Sequence, residues 1–336
     1  MSAPSREAEL REDEPAAEGI GSRLQGFASQ LAAAGVLIVV FVGLSIASPV
    51  FLTADNLFNI GVQTAVTAII AIGMTIVIVT AGIDLSVGSV AALAGVVGAS
   101  LMANSGVSPV LAIVGGTAVG ALCGLVNGLL ITVGNLPPFI ATLGMLSAAR
   151  GIVYISTGAV AVFGLPDSFR LLGEGQIGPL PIPVLFLVGV AVAGHLLLTR
   201  TKLGRYSYAI GSNEEAARLS GIPIRRYLTA VYVLCGALAG FGGMIAASRT
   251  VSGQPNYGLG LELDVIAAAV IGGASLFGGQ GIVVGTLIGG FLIALIRNGA
   301  RLLDINIFYQ SVIIGVIIWI AVFFDQYRRR RLEAAT

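Results

Sequence analysis

The chain has 336 residues, of which 56% are hydrophobic and 10% charged, with a mean hydropathy of +0.96; a soluble domain carries about 25% charged residues. That balance excludes an ordinary soluble domain and marks a polytopic membrane protein. A net charge of +1 gives no reason to expect nucleic acid as a partner, and Cys123 and Cys235, both inside apolar runs, read as small buried hydrophobes rather than a disulfide framework.

Residues 1–29 are polar and hold six of the seventeen acids between Glu7 and Glu18, with no apolar run to nucleate a core, so a disordered cytoplasmic tail is expected there. The first apolar run, Leu31 to Ser48, is longer than a signal-peptide core of about 7–15 residues and is expected to stay uncleaved. A bilayer core of about 30 Å needs about 20 helical residues. By that yardstick the sequence predicts an all-α transmembrane bundle occupying 30–327, with about ten spans near 31–48, 57–80, 86–104, 109–133, 137–156, 181–199, 227–247, 262–277, 281–297 and 306–324, and a basic tail at 328–336. With both termini inside, thirteen of the basic residues are cytoplasmic: Arg6, Arg11, Arg23, the six from Arg200 to Arg226 and Arg328 to Arg331. Only Arg170, Arg249, Arg297 and Arg301 fall outside, with Arg150 in a span, as the preference of Lys and Arg for short cytoplasmic loops requires.

Along the spans, "TAGIDLSVGS" (80–89) places Asp84 among Gly82, Ser86, Gly88 and Ser89, a setting for a helix break. The carboxylate either caps the following helix or lines a solute path, since charge within a membrane is costly and marks function by default. In 109–133, Gly116, Gly120, Gly124 and Gly128 fall four apart on one face, so a neighbouring backbone can approach closely, as a packing or a sliding seam. Gly236 with Gly240 and Gly285 with Gly289 repeat the spacing, and "GTAVGALCGLVNG" (116–128) loosely matches "GTLIGGFLIALIRNG" (285–299), a weak sign of an internal repeat. "GNLPPFIATLGM" (134–145) starts a span at Pro137 and Pro138; Asn127, Asn135, Phe139 and Thr142 are candidates for the path or its gate. Arg150 is expected to snorkel or to meet a carboxylate, and Glu262 and Asp264, opening a span, are helix-start anions or parts of an outer gate.

The longest basic loop, 200–226, holds "SNEEAARLSG" (212–221), with Asn213 as N-cap, Glu214 and Glu215 in the first turn, Ala216, Ala217 and Arg218 following, and Gly221 and Pro223 as stops. These residues alone describe a short solvated helix whose charges answer the helix dipole and one another. The single lysine, Lys202, stands in "RTKLG" rather than a phosphate-binding loop, and the one histidine, His195, lies in an apolar run, so neither a nucleotide site, a metal site nor an enzyme is expected.

Together "GIDLSVGS" (82–89), "LGRYSYAIGSNEEAARLSGI" (203–222) and "ELDVIAAAVIGGASLFGGQGIVVGTLIG" (262–289) strongly resemble the permease subunits of bacterial ribose-type monosaccharide ABC importers, over about residues 50–327. Glu215, Ala216, Ala217 and Gly221 match the family's E-A-A-x-x-x-G pattern, whose helix docks in a groove of the ATPase. The resemblance implies a multi-pass protein of the bacterial cytoplasmic membrane, without cofactors of its own. It also implies a second permease copy, a cytoplasmic ABC ATPase, an extracytoplasmic sugar-binding protein and a monosaccharide solute, ribose favoured. The rival reading is an ion-coupled secondary transporter or channel with a site among Asp84, Arg150 and Asp264.

Overall fold

A computed structural model describes residues 20–333. Thirteen α-helices follow one another, with a two-residue antiparallel ladder as the sole sheet among the described residues. They are α1 (Ile20–Ala47), α2 (Ala54–Val79), α3 (Val87–Ser105), α4 (Pro109–Thr132), α5 (Pro138–Thr157), α6 (Arg170–Glu174), then β1 (Gln176–Ile177) and β2 (Leu180–Pro181). The second half holds α7 (Ile182–Arg200), α8 (Lys202–Ser212), α9 (Glu214–Leu219), α10 (Ile224–Arg249), α11 (Leu261–Ile271), α12 (Val283–Leu302) and α13 (Ile307–Glu333).

Seven described helices, α2, α3, α4, α5, α7, α10 and α12, are long and apolar enough to cross a membrane; α1 and α13 carry shorter apolar stretches, Ala33–Ala47 and Phe308–Ile320. The chain is therefore all-α and polytopic. Three boundaries differ from those the sequence predicts, one of them at the C-terminus, where α13 continues through Glu333 into the stretch expected as a basic tail. Of the polar tail, residues 1–19 lie outside the described residues, while 20–29 are helical, as the first part of α1. The span near 262–277 contains a helix of only eleven residues, about 16 Å long, followed by a glycine-rich segment of turns, 272–282. The helix stops where Gly273 takes a left-handed φ of 90°, as Gly278 does at 85°, while Gly272 meets the backbone of Gly285 so closely that a Cβ would overlap it.

The core is built around α2, which is almost wholly buried among α7, α10, α11 and α12. By contrast α4, α5 and α7 turn apolar side chains such as Leu122, Ile155 and Val188 outward, giving an inner group of helices and an outer ring. The glycine face of α4 packs against α10: a Cβ on Gly120 would collide with the Gly236 carbonyl, and one on Gly124 with the Tyr232 carbonyl. Both four-residue glycine spacings thus belong to one seam. Gly285 and Gly289 form a second, against Gly272 and Ala268. Between helices α2 and α12, Thr75 and Thr286 share a 2.7 Å hydroxyl contact and Asn56 and Asn298 exchange amide hydrogen bonds of 3.2 and 2.7 Å.

Candidate translocation path and coupling segment

At one end of the bundle, α8 and α9 lie beside a cavity of about 1050 Å³. Its walls include Thr80 and Gly82 after α2, Asn135 between α4 and α5, Asn213, Glu214 and Arg218 of the α8–α9 segment, and Tyr232 of α10. Asn213 caps α9, its side-chain oxygen accepting the Ala216 N–H at 2.9 Å. Arg218 forms ion pairs with Glu214 (2.8 Å) and Glu215 (3.3 Å), and Gly221 ends the turn at φ 78°. Ala217 faces inward while Leu219, at 81% exposure, and Ala216 face out, so α9 shows solvent an apolar edge beside its charges.

The α8–α9 segment is tied to the membrane helices. The Tyr208 hydroxyl donates to the Gly281 carbonyl at 2.6 Å, and the Gly279 N–H donates to Val79 O at 2.9 Å, so α8 and the end of α2 both hold the 272–282 segment. Burial pushes the Tyr208 phenol above its ordinary value, which keeps it a donor at neutral pH. Neither Tyr208 nor Tyr232 carries a motif that would single it out in the sequence; a tyrosine within "RYSYAIG" is no different in pattern from its neighbours.

Asp84 is 1% exposed and does not line the cavity. Its carboxylate accepts the Ser86 N–H (2.9 Å) and hydroxyl (2.5 Å), fixing the residue that precedes α3, and Asn127 Nδ2 in turn donates to Ser86 Oγ at 3.0 Å. The geometry is that of an anchored helix start. Asn127 is buried in this cluster, and Thr142 is spent on Pro138 O at 2.9 Å, with a longer contact to Ile83 O at 3.3 Å. Asn135, at φ 52°, is the path candidate that reaches the cavity; Phe139 is exposed on α5 and outside it.

At the opposite end, Arg150 donates to the carbonyls of Pro255 (2.7 Å) and Tyr257 (2.8 Å), pinning the loop before α11. Among the described residues it forms no close ion pair, its hydrogen bonds going to the loop's carbonyls, and Glu262 is the carboxylate near enough to interact with its charge. Glu262 sits beside Gly88 and is partly buried. Asp264 forms a two-pronged ion pair with Arg297 (2.7 and 2.8 Å). Arg297 also borders two neighbouring cavities of about 570 and 520 Å³, shared with Gln63, Arg249 and Arg301. Among the described residues no group of three His, Cys, Asp or Glu is placed to hold a metal ion.

The family model described as branched-chain amino acid transport system / permease component matches residues 56–322, covering every element from α2 to α12 and most of α13. The chain belongs to this permease family. Its relatives include the ribose import permease protein RbsC of Escherichia coli (strain K12), 44% identical over 297 residues, which are 87% of this chain and 92% of the relative. RbsC of Bacillus subtilis (strain 168) is 45% identical over 294 residues, 87% of this chain and 91% of the relative, and the D-allose transport system permease protein AlsC of Escherichia coli (strain K12) is 39% identical over 290 residues, 86% and 89%. No solved structure matches the permease with significance.

Proposed function

We propose that this chain is the membrane-spanning permease subunit of an ATP-driven importer in the bacterial cytoplasmic membrane, carrying a monosaccharide, ribose favoured, delivered by a solute-binding protein. The observation that carries the reading is α9: a six-residue capped helix with an exposed Leu219 edge, tied through α8 to the segment between α11 and α12. Such a helix is a rigid surface for an ATPase, and a displacement of it reaches the bundle through the hydrogen bond of the Tyr208 hydroxyl to the Gly281 carbonyl. The names of the relatives, ribose and allose permeases, support the sugar class over the amino acids in the family's description.

In this reading the chain crosses the membrane about ten times with both termini cytoplasmic, α11 and the 272–282 segment together making one crossing. A second copy of the permease completes the path, and Asn213, Glu214, Glu215, Ala216, Ala217, Arg218 and Gly221 form the docking element. ATP is bound by the partner, and the energy reaches this chain as movement of α9. Of the three charged residues offered as the site of an ion-coupled carrier, Asp84 accepts hydrogen bonds from Ser86, Asp264 pairs with Arg297 and Arg150 donates to loop carbonyls.

Mass spectrometry of what co-purifies with the tagged chain from native membranes in mild detergent tests the proposal. Recovery of an ABC ATPase and more than one permease copy is expected. Repeated recovery of the chain alone, under conditions that preserve a known importer, would overturn it.

A further inference from the structure

The end of the bundle opposite α9 collects more positive charge than it neutralises. Arg249 at the end of α10 and Arg297 and Arg301 near the end of α12 border the same cavity as Gln63 of α2. Asp264 gives both oxygens to Arg297. Arg249 donates to the neutral amide of Asn59 at 2.8 Å, and Arg301 to Gln63 Oε1 and, at 3.4 Å, to the Arg297 carbonyl. Among the described residues neither Arg249 nor Arg301 forms an ion pair, and Asp304, exposed on the rim of the adjoining cavity, forms none either. Gln63 Nε2 is buried there without a hydrogen-bond partner. The walls therefore offer an excess of N–H donors, two of them guanidinium forks whose geometry matches a carboxylate or phosphate. A cleft lined by one sign of charge also concentrates ions of the other.

We infer that this outer cavity is an oxyanion-binding site, in which Arg249, Arg301 and Gln63 Nε2 hold a carboxylate or phosphate group. A neutral sugar alone would leave both guanidinium groups without an ion pair at contact distance, Glu174 reaching Arg249 only through its field. The inference rests on the importer reading only for the side of the membrane on which the site opens.

The test is calorimetric titration of the purified full-length chain, in detergent at low ionic strength, with inorganic phosphate, gluconate, acetate and ribose. Phosphate and gluconate bind, and ribose does not compete. Arg249→Gln and Arg301→Gln each weaken binding at least about tenfold, the loss expected when one charge-assisted contact goes, while Arg200→Gln, at the far end of α7, leaves it unchanged. Should Arg249→Gln not fold, Arg301→Gln, at an exposed position, carries the test, and Arg301→Lys falls between it and the parent. Gluconate binding more tightly than acetate assigns the group to an acidic sugar; equal binding assigns the site to small free oxyanions. Absence of phosphate and carboxylate binding, indifference to both glutamine variants, or equal competition by ribose overturns the inference. Binding is read without an ATPase, so that failure leaves the importer reading to its own co-purification test.

Discussion

Asp264 of α11 and Arg297 of α12 meet in a two-pronged ion pair, with the carboxylate nearly buried and the guanidinium half-sheltered. The pair fastens a half-length helix to a full-length one at the end where the glycine seam of α11 and α12 has opened. Removing one partner strands the other charge, a loss of roughly 3 kcal/mol for a largely buried pair. Asp264→Asn and Arg297→Gln should each lower the melting temperature in detergent, and the double variant should lose less than the sum of the two. Additive losses would show that the two residues do not act as a pair.

The seam between α4 and α10 makes a sharper prediction. Gly124 lies against the Tyr232 carbonyl with no room for a Cβ, whereas Gly144 on α5 faces open space. Gly124→Val should abolish monodisperse protein, because backbone would have to move apart along the whole seam. Gly144→Ala should be neutral or stabilising by up to about 1 kcal/mol. Size-exclusion profiles and thermal melts of the two variants decide it, and equal behaviour would refute the seam.

Asp84 serves the fold through Ser86. Asp84→Ala would leave the Ser86 N–H and hydroxyl short of an acceptor in a buried place, which costs about 1–3 kcal/mol for each stranded group. The expected outcome is a reduced yield of folded protein, with Asp84→Asn, which still offers an acceptor, closer to the parent. Normal yield with lost uptake and a bound ATPase would instead place Asp84 on the solute path.

For the docking element, Gly221→Trp and Glu215→Arg should leave insertion and yield intact while abolishing uptake and ATPase recovery. Gly221 has a φ of 78°, so a side chain there is strained as well as bulky. Glu215→Arg places like charge beside Arg218 in place of a 3.3 Å ion pair. Uptake assays at matched expression read both, and wild-type uptake by both variants would sink the docking assignment.

Local features were legible in the sequence wherever neighbours in the chain create them. Asn213 and Gly221 mark the limits of α9, Pro137 and Pro138 the start of α5, and glycines four apart the face of α4 that meets α10. What the sequence withheld is set by distant partners. Asp264 and Arg297 are 33 residues apart and Asn56 and Asn298 are 242 apart, so no local pattern pairs them. Arg150, a cation that needs an anion or water, receives two carbonyls from a loop 105 and 107 residues away, with Glu262 near enough to interact with its charge. The run 262–277 is apolar enough to suggest one helix, and the left-handed turn at Gly273, beside the contact of Gly272 with Gly285, ends it at Ile271.

The central place of α2 has a consequence for biogenesis. This helix enters the bilayer early in synthesis, yet its contacts with α12, such as Thr75 to Thr286, await chain made 211 residues later. Until then its many small and polar positions face lipid or transient neighbours, and closing such long loops is the slow part of assembly. A ribosome stalled before α12 would thus hold an inserted chain whose innermost helix still lacks one of its walls.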